Sequence, residues 1–213
     1  MYKIRATLPS QIDEITICHL QCFPRSFSSK LGLRYVTKSL EWFFEDENNR
    51  FLFHIEYNRK IVGYCGGFQS LREGDGSTSG MLQYAMPEAI KGIIRKPYLL
   101  FHFELIRRYP LIFKNVRRRI FKNQKNVPVS NDNFNVPKIG LVVIGVLPEY
   151  RGKGCFELLM QYFEAECTKR NVTKMTLSVR TSNARAIAAY KKVGWQTGIQ
   201  TEVAAEMYKM LPA

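Results

Sequence analysis

Between Pro148 and Phe156 the chain sets two cations among two glycines: Arg151, Gly152, Lys153 and Gly154, followed by Cys155 and Phe156. An apolar run, "IGLVVIGV", precedes this stretch, and the amphipathic "GCFELLMQYFEAECTKR" follows it. A strand that turns through glycines and cations into a helix makes an anion site. The first backbone N–H groups of a helix lack internal partners and point outward, and the helix dipole favours negative charge there. Glycines let an anion approach the backbone, and Arg or Lys adds charge-assisted hydrogen bonds. Phosphate or pyrophosphate is the guest such a turn would take. The alternative is a solvated turn with no ligand.

The turn is neither a GxxxxGK[ST] phosphate loop nor a GxGxxG dinucleotide fingerprint, because neither pattern occurs in the chain. It is similar to the central motif of the GCN5-related N-acetyltransferases (GNATs), [Q/R]-x-x-G-x-[G/A] after a strand ending V-x-P. That pattern is met by Arg151 and Gly154 after Val146-Leu147-Pro148, and Phe156 departs from it where the family has Gly or Ala. Further on, "NARAIAAYKKVGW" resembles the family's later motif at Asn183, Ala186, Tyr190, Lys192, Gly194 and Trp195. The resemblance is specific over 140–210 and architectural over 1–67, and it does not cover 69–138. A looser likeness joins "CFPRSFSSKLGLRYV" to family members of surface-polysaccharide synthesis.

The resemblance implies an α/β fold of GNAT type: a mixed, mostly antiparallel central sheet flanked by helices. This sheet splits between two parallel strands, here 141–147 and 174–180, where acetyl-CoA binds as co-substrate. Pantetheine would bond the backbone of Ile144 and Val146, and the pyrophosphate would sit on Arg151, Gly152, Lys153, Gly154, Cys155 and Phe156. Asn183 and Ala186 would contact the cofactor, or Asn183 would cap its helix. Tyr190 would donate the proton to the departing thiolate as general acid; the competing reading makes it a core aromatic. No metal is implied. Cys155 has no histidine near it in sequence, and direct transfer to an amine needs no acyl-enzyme. The general base stays open among Glu41, Glu45, His54 and Tyr64. His19, His54 and His102 fit no metal-ligand spacing.

These residues need elements to hold them. Alternation and helical spacing predict a strand near 2–6, a helical region from Pro9 to Cys22, and a helix through "LRYVTKSLEWFFED". The stripe of that second helix would be Leu33, Val36, Leu40, Phe43 and Phe44. A hairpin follows, Phe51–Tyr57 returning through "IVGYCGGF". Residues 69–138 break the rhythm, opening on the loop "REGDGSTSG" and carrying two or three short helices. Strand, helix, strand and helix then alternate to Trp195, and two strands near Gln196–Gln200 and Ala204–Met210 end the chain.

The 213 residues, 46% hydrophobic, suit a single domain containing an insertion at about 69–138. No run reaches the ~18 apolar residues of a membrane span, and the N-terminus lacks the apolar core of a secretory signal. The five cysteines, without a CxxC pair, read as reduced thiols of a cytoplasmic protein. The net charge of +14 is concentrated: 91–125 holds eleven Lys or Arg against Glu104 alone. That basic, aromatic segment would lie on an anionic membrane peripherally or meet an acidic substrate, or be a flap packed on the domain. Nucleic acid is disfavoured, since no nucleic-acid motif accompanies the charge. Two functions follow. One is acetyl transfer to a primary amine of a small molecule, with an amino sugar of polysaccharide synthesis as the leading guess. The other is a non-catalytic acyl-CoA-binding module attached through the insertion to a membrane or nucleic acid.

Overall fold

The computed structural model describes residues 1–70, 77–102, 106 and 137–212. Seven strands form one sheet: β1 (Lys3–Ala6), β2 (Arg50–Tyr57), β3 (Lys60–Ser70), β4 (Lys138–Val146), β5 (Lys174–Arg180), β6 (Gln196–Gln200) and β7 (Ala204–Met210). Their order is β1-β2-β3-β4-β5-β7-β6, with every neighbouring pair antiparallel except β4 and β5. The β2–β3 turn is two residues, Asn58 and Arg59, both at positive φ (50° and 62°). That backbone matches the twist of a tight hairpin.

Helices cover both faces of the sheet. α1 (Ile12–Cys22) starts from a one-turn 3-10 segment opened by Pro9 and buries Ile15, Cys18 and Cys22 at helical spacing. α2 (Phe27–Leu31) is capped by Ser26, whose hydroxyl accepts from the Ser29 N–H. α3 (Leu33–Glu41) buries Tyr35, Val36 and Leu40 and runs into a 3-10 turn over Trp42–Glu45. The expected stripe is wrong at its first position: Leu33, which opens α3 immediately after Gly32, is 53% exposed. Phe43 is buried as expected, and Trp42, outside that stripe, is buried beside it, against Phe68 at 5.7 Å. On the opposite face lies α6 (Cys155–Lys169), described below with the site; Tyr162 and Phe163 meet Phe53 and Phe51 at 4.7 and 5.5 Å. A fully buried side chain such as Phe163 contributes about 1.5–3 kcal/mol by leaving water.

The insertion begins with α4 (Ser77–Tyr84) and α5 (Met86–Arg95), then a 3-10 turn over Pro97–Phe101. The expected loop "REGDGSTSG" is corrected in its last four residues, which already belong to α4. This part docks on the face that carries α3. Lys38 Nζ donates to Tyr84 Oη at 2.9 Å, Lys96 Nζ donates to Lys30 O at 2.9 Å, and Leu99 is fully buried. The rest of the insertion, 103–105 and 107–136, with most of the basic cluster, lies outside the described residues.

Candidate active site

β4 and β5 are paired only at their starts, Lys138–Gly140 against Lys174–Thr176. Beyond Gly140 the two strands part. On its other edge β4 stays paired with β3, but Val142 is an extra residue between the pairs Gly67–Leu141 and Gly66–Val143. A bulge there bends and twists the strand, which carries β4 away from β5 and opens a cleft.

Alternation fixes what the cleft edge offers. Leu147 N–H donates to Val62 O at 2.9 Å, toward β3. Residues two and four positions back, Gly145 and Val143, therefore also turn their backbone groups to β3. Ile144 and Val146 turn theirs into the cleft. One of those groups is already used: Val146 O accepts from Arg151 Nε at 2.9 Å. Both residues sequence reasoning assigned to pantetheine thus face the opening, with the Val146 carbonyl occupied.

The chain leaves β4 through a 3-10 turn at Pro148–Tyr150 and enters α6 at Cys155. Gly152 (φ 76°) and Gly154 (φ 82°) are left-handed, a backbone that residues with a Cβ adopt only at a cost. A Cβ at either position would meet nothing within 4 Å, so the loop is open on its outer side. Among the described residues, no hydrogen-bond partner is found for the backbone N–H groups of Gly152, Lys153, Gly154, Cys155 and Phe156. They are the donors an anion would take. The Lys153 side chain is exposed, with Nζ 5.6 Å from the Tyr150 ring. The Arg151 guanidinium turns inward, and its Nη2 donates to Cys22 O, the end of α1, at 2.9 Å. The Cys155 thiol is buried, and burial pushes its pKa up, so only its backbone faces the anion side.

Phe156 packs edge-on against Tyr190, ring centroids 5.5 Å apart, filling the position where the family pattern has Gly or Ala. Tyr190 lies on α7 (Ala184–Lys192), is 7% exposed, and also touches Trp195 at 5.8 Å. Burial raises its phenol pKa well above the usual tyrosine range, so it stays protonated and able to donate. No hydrogen bond of its hydroxyl is found among the described residues. Asn183 caps α7, its Oδ1 accepting from the Ala186 N–H at 3.2 Å. The structure thus shows the capping alternative for Asn183, and the Ala186 N–H is spent on it. α7 ends in a Schellman motif: Trp195 N–H donates to Tyr190 O, Gly194 N–H donates to Lys191 O, and Gly194 has φ 88°.

On the α1 face a polar chain lies behind β4. Tyr64 Oη and His19 Nδ1 are 2.6 Å apart, His19 Nε2 and Ser28 Oγ 3.2 Å, and Ser28 Oγ and Ser26 Oγ 2.9 Å. Ser26 donates to Phe23 O at 3.0 Å. A carbonyl only accepts, which orients the whole chain. Ser28 donates to Ser26, His19 donates from Nε2 to Ser28, and Tyr64 donates to His19 Nδ1. Burial lowers the His19 pKa to about 4, keeping it neutral. Sequence reasoning placed Tyr64 among the base candidates and missed His19 as its partner. The other candidates are engaged elsewhere: Glu41 with Lys38, Glu45 with Tyr84, and His54 with Thr7 and Glu56. Among the described residues no cluster fit to hold a metal ion is present.

Residues 126–195 match the sequence model of the acetyltransferase (GNAT) family. A Bacillus subtilis protein named as a ribosomal-protein alanine N-acetyltransferase is 38% identical over 55 residues, 26% of this chain and 36% of that protein. The match therefore spans about a third of that relative's length. A ribosomal-protein alanine N-acetyltransferase of Escherichia coli superposes with a TM-score of 0.56 at 16% identity, covering 100% of this chain and 96% of its own. The PaiA N-acetyltransferase of Thermoplasma acidophilum, solved with coenzyme A, superposes at 0.58 with 10% identity over 99% of both chains. A Salmonella typhimurium acetyltransferase solved with acetyl-CoA gives 0.56 at 13% identity, over 99% of this chain and 94% of its own. None of these names refers to polysaccharide synthesis, so the looser likeness finds no support among them. The chain carries the GNAT acetyltransferase fold across its described residues, and the family's own sequence signature across residues 126–195.

Proposed function

We propose that the chain is an acetyl-CoA-dependent N-acetyltransferase that passes the acetyl group directly to a primary amine. The observation that carries this reading is the pairing of an opened strand edge with a cradle of five amides, unpartnered among the described residues, at the mouth of α6. The edge would hold an amide-bearing arm as a strand holds its neighbour, and the cradle would hold the pyrophosphate. Lys153 adds positive charge beside the cradle. The amine nitrogen attacks the thioester carbonyl carbon, the C–S bond breaks, Tyr190 supplies the proton the thiolate takes up, and the proton shed by the acylated nitrogen passes to solvent, from which the Tyr190 phenolate is reprotonated. A buried Cys155 thiol with a raised pKa argues against a covalent acyl-enzyme.

The acceptor is a primary amine, and the leading classes are an amino sugar and the N-terminus of a peptide beginning with alanine. Calorimetric titration with acetyl-CoA, followed by thiol release with both amines, tests the reading. Wild type should bind acetyl-CoA and release thiol with one of them. Gly154→Asp puts a carboxylate at the cradle and should weaken binding at least about tenfold, because each charge-assisted bond lost there is worth about 1.5–3 kcal/mol. A folded wild type that binds no acetyl-CoA would sink the proposal. Binding without turnover on either amine would favour the non-catalytic acyl-CoA module.

A further inference from the structure

Arg151 has the type and place of an anion ligand, yet its guanidinium does something else. Nε donates to Val146 O and Nη2 to Cys22 O, both at 2.9 Å, so one side chain bridges the cleft edge of β4 and the end of α1. Cys22 O is one of the carbonyls an α-helix leaves unpaired at its C-terminus, where a cation is also favoured by the dipole. The next residues, Phe23–Ser26, form the α1–α2 loop. Its Phe23 ring and the Cys22 sulfur lie against Gly145 between the two cleft-facing residues, where an added Cβ would meet them at 3.1 and 3.2 Å.

Resting on the acetyl-CoA reading above, we propose that Arg151 is a positioning residue that couples the cofactor cradle to the α1–α2 loop. This loop stands at β4 on the face opposite α6 and Tyr190, where an acceptor amine would approach. The amides of Gly152–Phe156 begin one residue after Arg151, so an anion seated on them fixes the backbone that aims the guanidinium. The guanidinium then holds the end of α1. The loop is held from its far side by the Tyr64–His19–Ser28–Ser26 chain, which touches no part of the cradle. Two clamps thus act on one loop, and only one of them reports cofactor occupancy. Coupling of this kind is reciprocal, so an acceptor that orders the loop also tightens acetyl-CoA.

Hydrogen exchange separates the clamps. The amides to follow are Phe23, Ser26, Ser29 and Lys30, each hydrogen-bonded within this region. In wild type, acetyl-CoA should slow their exchange about tenfold. Tyr64→Phe should raise their exchange without ligand yet keep the slowing on binding. Arg151→Gln should abolish the slowing while changing the acetyl-CoA Kd less than about threefold and leaving its salt dependence intact. Arg151→Lys keeps the charge but not the fork, and should behave like Arg151→Gln. A Kd weakened more than about tenfold in Arg151→Gln and preserved in Arg151→Lys would make Arg151 an anion ligand and overturn the proposal. Wild type that binds acetyl-CoA without slowing these amides would overturn the coupling alone. Wild type that binds none would overturn the acetyl-CoA reading itself.

Discussion

At the scale of single residues, the site divides into groups that type and motif single out and groups set by partners distant in the chain. Tyr190, proposed above as the general acid, is a buried phenol held protonated by burial, with a hydroxyl that no described residue engages. Tyr190→Phe is expected to lower thiol release about a hundredfold, the usual scale of general acid catalysis, with the acetyl-CoA Kd unchanged. Equal turnover in the variant would remove the tyrosine from the chemistry. Because burial raises its pKa, no loss of rate from Tyr190 ionisation should appear within the usual tyrosine range; a pH–rate profile from 8 to about 10.5 checks this. Arg151 was legible as a cation on the cofactor turn, but its inward hydrogen bonds were not, since one partner lies at Cys22. His19 carried no local signal at all. It is 45 residues from Tyr64, and helical spacing marks it only as one more residue on the α1 face.

Elements were legible where one period ran without interruption. α1, α6, α7, the hairpin, β4 and β5 follow their apolar spacing closely. The misjudged places are element starts, Leu33 at the first turn of α3 and Ser77–Gly80 at the beginning of α4, where periodicity has too few residues to speak. The turn into α6 depends on backbone that only glycine takes readily. Gly154→Ala meets no neighbour, so its cost is conformational, about 1 kcal/mol, and should lower Tm by about 2–4 °C. Gly145→Ala fails for the opposite reason: its Cβ would lie 2.8 Å from Tyr64 Cε1 and close to Phe23 and Cys22. That overpacking should cost about 1–3 kcal/mol, read from urea unfolding, and a variant as stable as wild type would contradict the packing described.

Across the whole molecule, the sheet joins the face that carries α6 and α7 to the opposite face built from α1, α2 and α3 with the first part of the insertion. His19 sits in that second layer. Burial lowers its folded pKa from 6.5 to about 4, so as pH falls below 6.5 the unfolded chain binds the proton first. This contribution is intact above pH 6.5 and is lost as pH falls toward 4, by at most about 3 kcal/mol. His19→Gln should therefore unfold with a shallower pH dependence between 6.5 and 4 in urea titrations; an unchanged dependence would show that His19 is not the group responsible. The sequence by itself determined the glycine-and-cation turn, the helix that carries Tyr190, and the strands on either side of the cleft. Each of these depends on residues within a few positions of one another, which spacing and residue type record directly. Only the tertiary structure decided where β4 leaves β5, where the Arg151 guanidinium goes, and that Tyr64 holds His19 behind Gly145. Those outcomes depend on a bulge at Val142 and on segments as far apart as Cys22 and Arg151 meeting in space. No local pattern records such a meeting, because it is fixed by which faces close on one another when the core is buried.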